Sequence, residues 1–231
     1  MAGSRRDWDE VIRALPRPLC IVAYDLRGFG ASKADDGRPF SHADDLRVLM
    51  DGLGIKRAAI AGLSMGGGIA LNFALSHPER VSHMCLVSPA MVGWEWSDEW
   101  KALWRGVAQA ARSGDMTLAR DRWFAHPMFA QVRAGPSAEE LRRSIDAYHG
   151  RQWIRDDQRD EMPDIDRLHD LAVPTLLLTG ELDVPDLRLI SDVIESATSA
   201  TKRIDFAGAG HMLTLERPVE TAESIARFIS T

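Results

Sequence analysis

Cysteine is scarce in this chain, with Cys20 and Cys85 the 2 present among 231 residues. Each lies in an apolar run that reads as a strand, so both are expected to be buried, reduced thiols acting as small hydrophobes. A structural disulfide is not expected, and no Cys/His spacing suits zinc. Cationic excess is also missing. Against 28 Lys and Arg stand 34 Asp and Glu, interspersed, for a net charge of −6. That balance argues against nucleic acid or an anionic membrane surface as partner. No apolar run approaches the length that crosses a bilayer, and the first residues lack the cationic-then-apolar order of a signal peptide. The expected location is cytoplasmic, although a segment ahead of Met1 would hide a targeting signal. Neither an internal repeat nor a low-complexity linker is found.

What is present is a sharp turn carrying a serine. The run Ala58-Ala59-Ile60-Ala61-Gly62-Leu63-Ser64-Met65-Gly66-Gly67-Gly68 reads as a short apolar strand breaking into a helix through Gly-X-Ser-X-Gly. A serine at such a junction takes a strained backbone conformation, and small residues two before and two after let the chain crowd the turn. The strain exposes the hydroxyl and aims helix-terminal N–H groups at the same spot. The competing reading is a glycine-rich turn with an incidental serine.

Two later sites weigh against that alternative. Val173–Gly180 reads as a buried strand followed directly by Glu181-Leu182-Asp183. Lys202–Phe206 reads as a last strand, with Ala207-Gly208-Ala209-Gly210-His211 as the loop beyond it. Serine is a poor nucleophile until a base takes its proton, and histidine needs a carboxylate to fix its tautomer. Serine, acid and histidine each fall just past the carboxyl end of a strand, the edge where open parallel sheets bind ligands.

In that order of residues the chain resembles the α/β-hydrolase family. Tyr24-Asp25-Leu26-Arg27-Gly28-Phe29-Gly30-Ala31-Ser32 is similar to the family's D-x-R-G-x-G-x-S turn, and Gly62–Gly67 to its nucleophile elbow. His77-Pro78-Glu79-Arg80-Val81 resembles the exit from the following helix. Gly180–Asp183, and Gly210-His211-Met212 with Glu216-Arg217-Pro218, resemble the acid and histidine loops. The resemblance implies Ser64 as nucleophile, Asp183 as orienting acid and His211 as general base, with no metal or organic cofactor.

One departure stands out. Family members begin with two or three strands, the third ending in a His-Gly loop that supplies half of the oxyanion hole. Here Met1–Trp8 resembles the segment just after that loop. The absent strand would lie between those matched by Leu19–Tyr24 and Ala58–Gly62, so two edges should carry unpaired backbone groups. Either the natural protein starts upstream, or the edges close on each other, or another chain fills the gap; the first is the expectation. The Met65 N–H should then be one oxyanion donor, and Met1 stands as candidate for the other. With one donor unanchored, the chain as written is expected to be weakly active or inactive. An exposed central edge would also promote self-association, which leaves a homo-oligomer open.

The expected architecture is α/β: a mostly parallel sheet flanked by helices, the α/β-hydrolase fold truncated at its amino end, with an inserted helical cap. Residues 1–89 and 167–231 form the core and 90–166 the cap. Ser41 should cap a helix ending near Gly52 or Gly54, and Ser97 another whose stripe is Trp100, Leu103, Trp104, Val107 and Ala111. A third runs from Ser137 to about Gly150, and Pro218 opens a terminal helix. The cap segment holds Trp94, Trp96, Trp100, Trp104, Trp123 and Trp153, six of the 7 tryptophans. At helical spacing these are packing residues first. Trp94 and Trp96, outside a clean stripe, are the better pocket candidates, with His126 a further one. Asp25 and Arg27 read as turn structure rather than a catalytic pair, and Asp186 as a helix-start acid rather than a rival to Asp183.

The function expected from these residues is cleavage of a small apolar or aromatic ester or lactone through an acyl-enzyme. Within the same fold the alternatives are carbon–carbon hydrolysis of ring-cleavage diketones and perhydrolysis. From another class, a low-turnover binding or receptor protein would keep the triad residues yet lack the oxyanion loop.

Overall fold

The computed structural model describes residues 2–32, 37–155 and 157–230. Its centre is a parallel sheet in the order β1 (Ala58–Leu63), β2 (Val81–Val87), β3 (Thr175–Gly180) and β4 (Thr201–Phe206). Apart from a shift between Ala58 and Ala59, the register runs evenly, with Ala61 opposite Cys85, Cys85 opposite Leu176, and Leu176 opposite Lys202. Parallel neighbours need crossovers, and helices supply them. Ahead of β1 come α1 (Asp9–Ala14) and α2 (His42–Gly52), and α3 (Met65–Ser76) joins β1 to β2. Between β2 and β3 lie α4 (Asp98–Arg112), α5 (Met116–Phe124), α6 (Ala130–Ala134), α7 (Ala138–Ala147) and α8 (Arg151–Ile154). The chain closes with α9 (Pro185–Ala197) between β3 and β4, then α10 (Leu213–Glu216) and α11 (Pro218–Phe228). No helix among the described residues is long and apolar enough to cross a membrane.

The inner strands β2 and β3 are largely buried on both faces, as their apolar sequence requires. Along β3 every residue is buried, and alternate leucines enter different cores. Leu177 joins Leu86, Met84, Phe73 and Leu187 on one side; Leu176 and Leu178 join Cys85, Val87, Val11 and Ile225 on the other. Each such leucine contributes roughly 1.5–3 kcal/mol by leaving water. Cys85 is an inert member of the second core, its thiol pushed up to about 12 by burial.

Local signals place the helices. The Ser41 hydroxyl accepts from Asp44 N–H at the start of α2, and that of Ser97 accepts from Trp100 N–H at the start of α4. Pro218 opens α11. Gly150 does not end α7, which stops at Ala147; its left-handed φ of 81° instead starts α8. The Ser137 side chain makes no capping bond there.

Two expectations about the amino-terminal region are corrected. Leu19–Tyr24 forms no strand, because a strand exists only within a ladder and no partner lies beside it. The two edges do not close on each other, so β1 is an outer strand of the sheet. Cys20 is accordingly exposed, not buried.

Candidate active site

Each candidate residue sits just past a strand, on a backbone with little freedom to move. Ser64 links β1 to α3 at φ 53°, ψ −117°, a region most residues avoid. Its N–H donates to Val87 O at 2.9 Å, and its carbonyl accepts from Gly68 N at 3.0 Å and Ala90 N at 2.9 Å. The glycines around it are obligatory contacts: a Cβ on Gly62 would lie 2.1 Å from Gly66 O, and one on Gly67 2.9 Å from Pro89 Cβ. Met65 is the first residue of α3, so its N–H has no intrahelical acceptor.

The acid and the histidine meet because β3 and the loop after β4 touch. Leu182 N–H donates to Ala209 O at 2.8 Å, and Gly208 N–H to the Glu181 carboxylate at 2.9 Å. Asp183 Oδ1 accepts from Val184 N at 2.7 Å, while Oδ2 lies 2.9 Å from His211 Nδ1. Both side chains are almost fully buried, at 0% and 1% exposure. Glu216 straddles the histidine, one oxygen accepting from Gly210 N at 2.6 Å and the other from Met212 N at 3.0 Å.

Ser64, Met65, His211 and Met212 line one cavity of about 640 Å3. Ser64 and Met65 also line a second, of about 310 Å3, walled by Trp96, Trp100, Trp104 and Trp123. Ser64 therefore borders both the aromatic-walled space and the cavity that His211 lines.

Such an arrangement can serve acyl chemistry: an imidazole beside a buried carboxylate, a strained serine lining the same cavity as that imidazole, and a helix-start N–H. A profile of the alpha/beta hydrolase fold matches residues 1–218. The chain belongs to that family. Among relatives of this α/β hydrolase, a 2-hydroxy-6-oxo-6-phenylhexa-2,4-dienoate hydrolase of Comamonas testosteroni is 42% identical over 76 residues, covering 32% of this chain and 27% of that protein. A carboxylesterase of Bacillus subtilis, YbfK, is 29% identical over 194 residues, covering 81% of this chain and 62% of that one. The chain thus spans less than two thirds of the length of these relatives. In three dimensions it superposes on MenH from S. aureus with TM-score 0.86 at 21% identity, over 100% of this chain and 90% of that one. For the enol-lactonase from Burkholderia xenovorans LB400 the TM-score is 0.84 at 22% identity, over 100% and 88%. At such identity the likeness is one of fold.

Of the other sequence candidates, Trp96 lines the aromatic cavity, whereas Trp94 and His126 line neither space. Trp94 Nε1 donates to Asp186 at 3.2 Å. That carboxylate also takes the N–H and hydroxyl of Ser97, and so ties the start of α9 to the start of α4. Burial acts to raise the Asp186 pKa, but the Ser97 and Trp94 bonds outweigh it and the net direction is downward. His126 packs among Trp100, Trp123 and Phe129, and burial, with the nearby His211, lowers it to about 4. Asp25 and Arg27 do not pair: Asp25 accepts from Arg5 N and Ala31 N, and Arg27 forks onto Asp45. The Met1 candidate lies outside the described residues. Sequence reasoning missed His42, buried at the start of α2 and lining the aromatic cavity with Ser64. Ser88, a second serine with positive φ (43°) beside the elbow, left no trace in the sequence.

Proposed function

We propose that this chain is a cofactor-free serine hydrolase acting on a small ester or lactone with an apolar or aromatic group. The reading is carried by one observation: His211, 2.9 Å from the buried Asp183 carboxylate, lines the same cavity as a serine at positive φ. With Asp183 accepting from Nδ1–H, the other imidazole nitrogen carries a lone pair and takes the Ser64 proton as Oγ attacks the substrate carbonyl. Charge develops on the carbonyl oxygen, and the Met65 N–H is the donor placed to meet it. Collapse breaks the carbonyl–alkoxy bond, and the leaving oxygen takes the proton back from His211. Water, deprotonated by His211, then attacks the acyl-enzyme and frees Ser64.

In this reading the helices from Asp98 to Ile154 are the inserted cap, and their tryptophans form the wall against which the apolar part of the substrate rests. The tryptophan wall, with the ring-cleavage hydrolase among the relatives, supports a second reading, hydrolysis of a carbon–carbon bond in a vinylogous diketone.

Nitrophenyl esters, lactones and such a diketone assayed side by side separate the two, and any turnover counts against a mere binding protein. Ser64→Ala should abolish both turnover and labelling by a serine-directed phosphonate, a loss on the order of 10⁴–10⁶. Unchanged activity in that variant would rule out the mechanism.

A further inference from the structure

The interior of α3 is apolar except at Asn72. Met65, Ile69 and Asn72, at the spacing of one helix face, all line the aromatic cavity, and Asn72 stands about 10 Å along the axis from Met65. It is 4% exposed, and an amide so buried needs partners for its polar atoms. Its Nδ2 has one, donating to Asp164 Oδ1 at 2.8 Å. Asp164 is fully buried and also accepts from Arg167 Nη2 at 3.0 Å and from Val92 N–H at 3.3 Å. Burial raises the Asp164 pKa, and those three donors oppose the rise. A carboxylate so placed only accepts, so the amide is held with its nitrogen toward Asp164 and its oxygen turned away. Among the described residues, nothing donates to that oxygen. Ser41 and Arg159 also line the cavity, but the Ser41 hydroxyl caps α2 and Arg159 pairs with Asp44 and Glu161.

We propose that Asn72 is a specificity-determining residue whose amide oxygen accepts from an O–H or N–H at the far end of an aryl acyl group, so that the preferred substrates are esters of hydroxyaryl- or aminoaryl-alkanoic acids. The inference rests on the serine-hydrolase reading and adds which half of the substrate lies where. His211 returns a proton to the leaving oxygen, and it lines the larger cavity but not the aromatic one. The alkoxy side therefore faces His211, and the acyl side enters the tryptophan-walled space. A phenylpropanoyl group with a para substituent spans the two helical turns from Ser64 to Asn72 and lays its ring against the indoles. Filling that space expels water, so a ring without a donor leaves the Asn72 oxygen buried and unpaired. A phenol supplies the donor and is neutral well below its pKa of about 10. A methoxy group in the same place brings lone pairs against a lone pair.

The para-nitrophenyl esters of phenylpropanoic acid and of its para-hydroxy and para-methoxy derivatives share one leaving group and so test the acyl side alone. On the parent enzyme, kcat/KM for the hydroxy ester should exceed that for either other ester by about tenfold or more. In Asn72→Leu, similar in size but without the acceptor, that ratio should fall to near one. A second readout needs no turnover. In Ser64→Ala, quenching of tryptophan fluorescence should show para-hydroxyphenylpropanamide bound about tenfold more tightly than phenylpropanamide. The ester series on the parent and the amide pair on Ser64→Ala decide the matter even where Asn72→Leu does not fold. A parent that hydrolyses all three esters alike, or an Asn72→Leu enzyme that keeps the preference, would overturn the inference and leave Ser64 as nucleophile. The binding preference in a protein that turns over none of the esters would uphold Asn72 and count against the hydrolase reading.

Discussion

Gly180 and Gly210 touch backbone to backbone: a Cβ built on Gly180 would lie 1.9 Å from the Gly210 carbonyl oxygen and 2.7 Å from that of Ala209. This contact joins the end of β3 to the histidine loop, three residues before Asp183 and one before His211. Gly180→Ala must push the two segments apart and stretch the 2.9 Å carboxylate–imidazole bond. The expected result is a loss of about 3 kcal/mol or more in urea unfolding, with kcat/KM on an ester reduced at least about a hundredfold. A variant with wild-type midpoint and wild-type turnover would show that the crossing does not hold the pair.

Glycines of the elbow are not equivalent, although the motif treats them alike. At Gly62 a methyl group meets Gly66 O at 2.1 Å and Gly67 N at 2.6 Å; at Gly66 it meets nothing within 4 Å. Gly62→Ala should therefore fail to give a stable, active protein. Gly66→Ala should fold normally and gain up to about 1 kcal/mol, because alanine has less freedom to lose in a helix. Thermal denaturation of the two variants side by side decides it, and a Gly66→Ala protein less stable than its parent would refute the distinction.

Glu216 acts on the histidine without touching its ring. Its two oxygens hold the N–H groups on either side of His211, so losing them frees the loop that aims the imidazole. Glu216→Ala should cost about 1–3 kcal/mol of stability by leaving two N–H groups without their acceptor. Glu216→Gln keeps the shape and one acceptor, and should restore most of that stability while kcat stays below wild type by about tenfold or more. A displaced pH profile of kcat/KM in Glu216→Gln would mark the effect as one on the histidine. An unmoved profile with full kcat would reduce Glu216 to a structural loop residue.

How much of this was legible beforehand depended on the range of the interaction. The strands β1 to β4, the Ser41 and Ser97 caps and the Ser64 turn are written in neighbouring residues, so reading them needs no tertiary knowledge. Asp183 and His211 were legible as strand-end residues, but their contact was not, because it rests on Gly180 and Gly210 passing within van der Waals distance. Leu19–Tyr24 shows the limit of local reading. Its composition is that of a strand, yet pairing is decided by what lies alongside, and there a cavity lies alongside. The same holds for Trp94: its position off the helical stripe suggested a pocket, while its indole N–H was spoken for by Asp186.

His126 gives the fold an acid-sensitive point. It is 2% exposed, its ring lies 5.0 Å from Trp100 and 5.2 Å from Trp123, and Nδ1 accepts from Met128 N–H at 3.3 Å. Burial, then the neighbouring His211 and Arg133, lower its pKa from 6.5 to about 4. The folded protein thus resists taking a proton that the unfolded chain accepts readily. Stability from this group is complete above pH 6.5, declines as the pH falls, and is gone below about 4, a change of at most about 3 kcal/mol. His126→Asn retains an acceptor for Met128 N–H and does not titrate, so its unfolding free energy should fall less than the parent's between pH 6.5 and 4. Carboxylates elsewhere contribute equally to both proteins and cancel in the difference. Parallel stability curves for the two, measured by urea unfolding across that range, would mean that His126 is protonated in the fold without penalty.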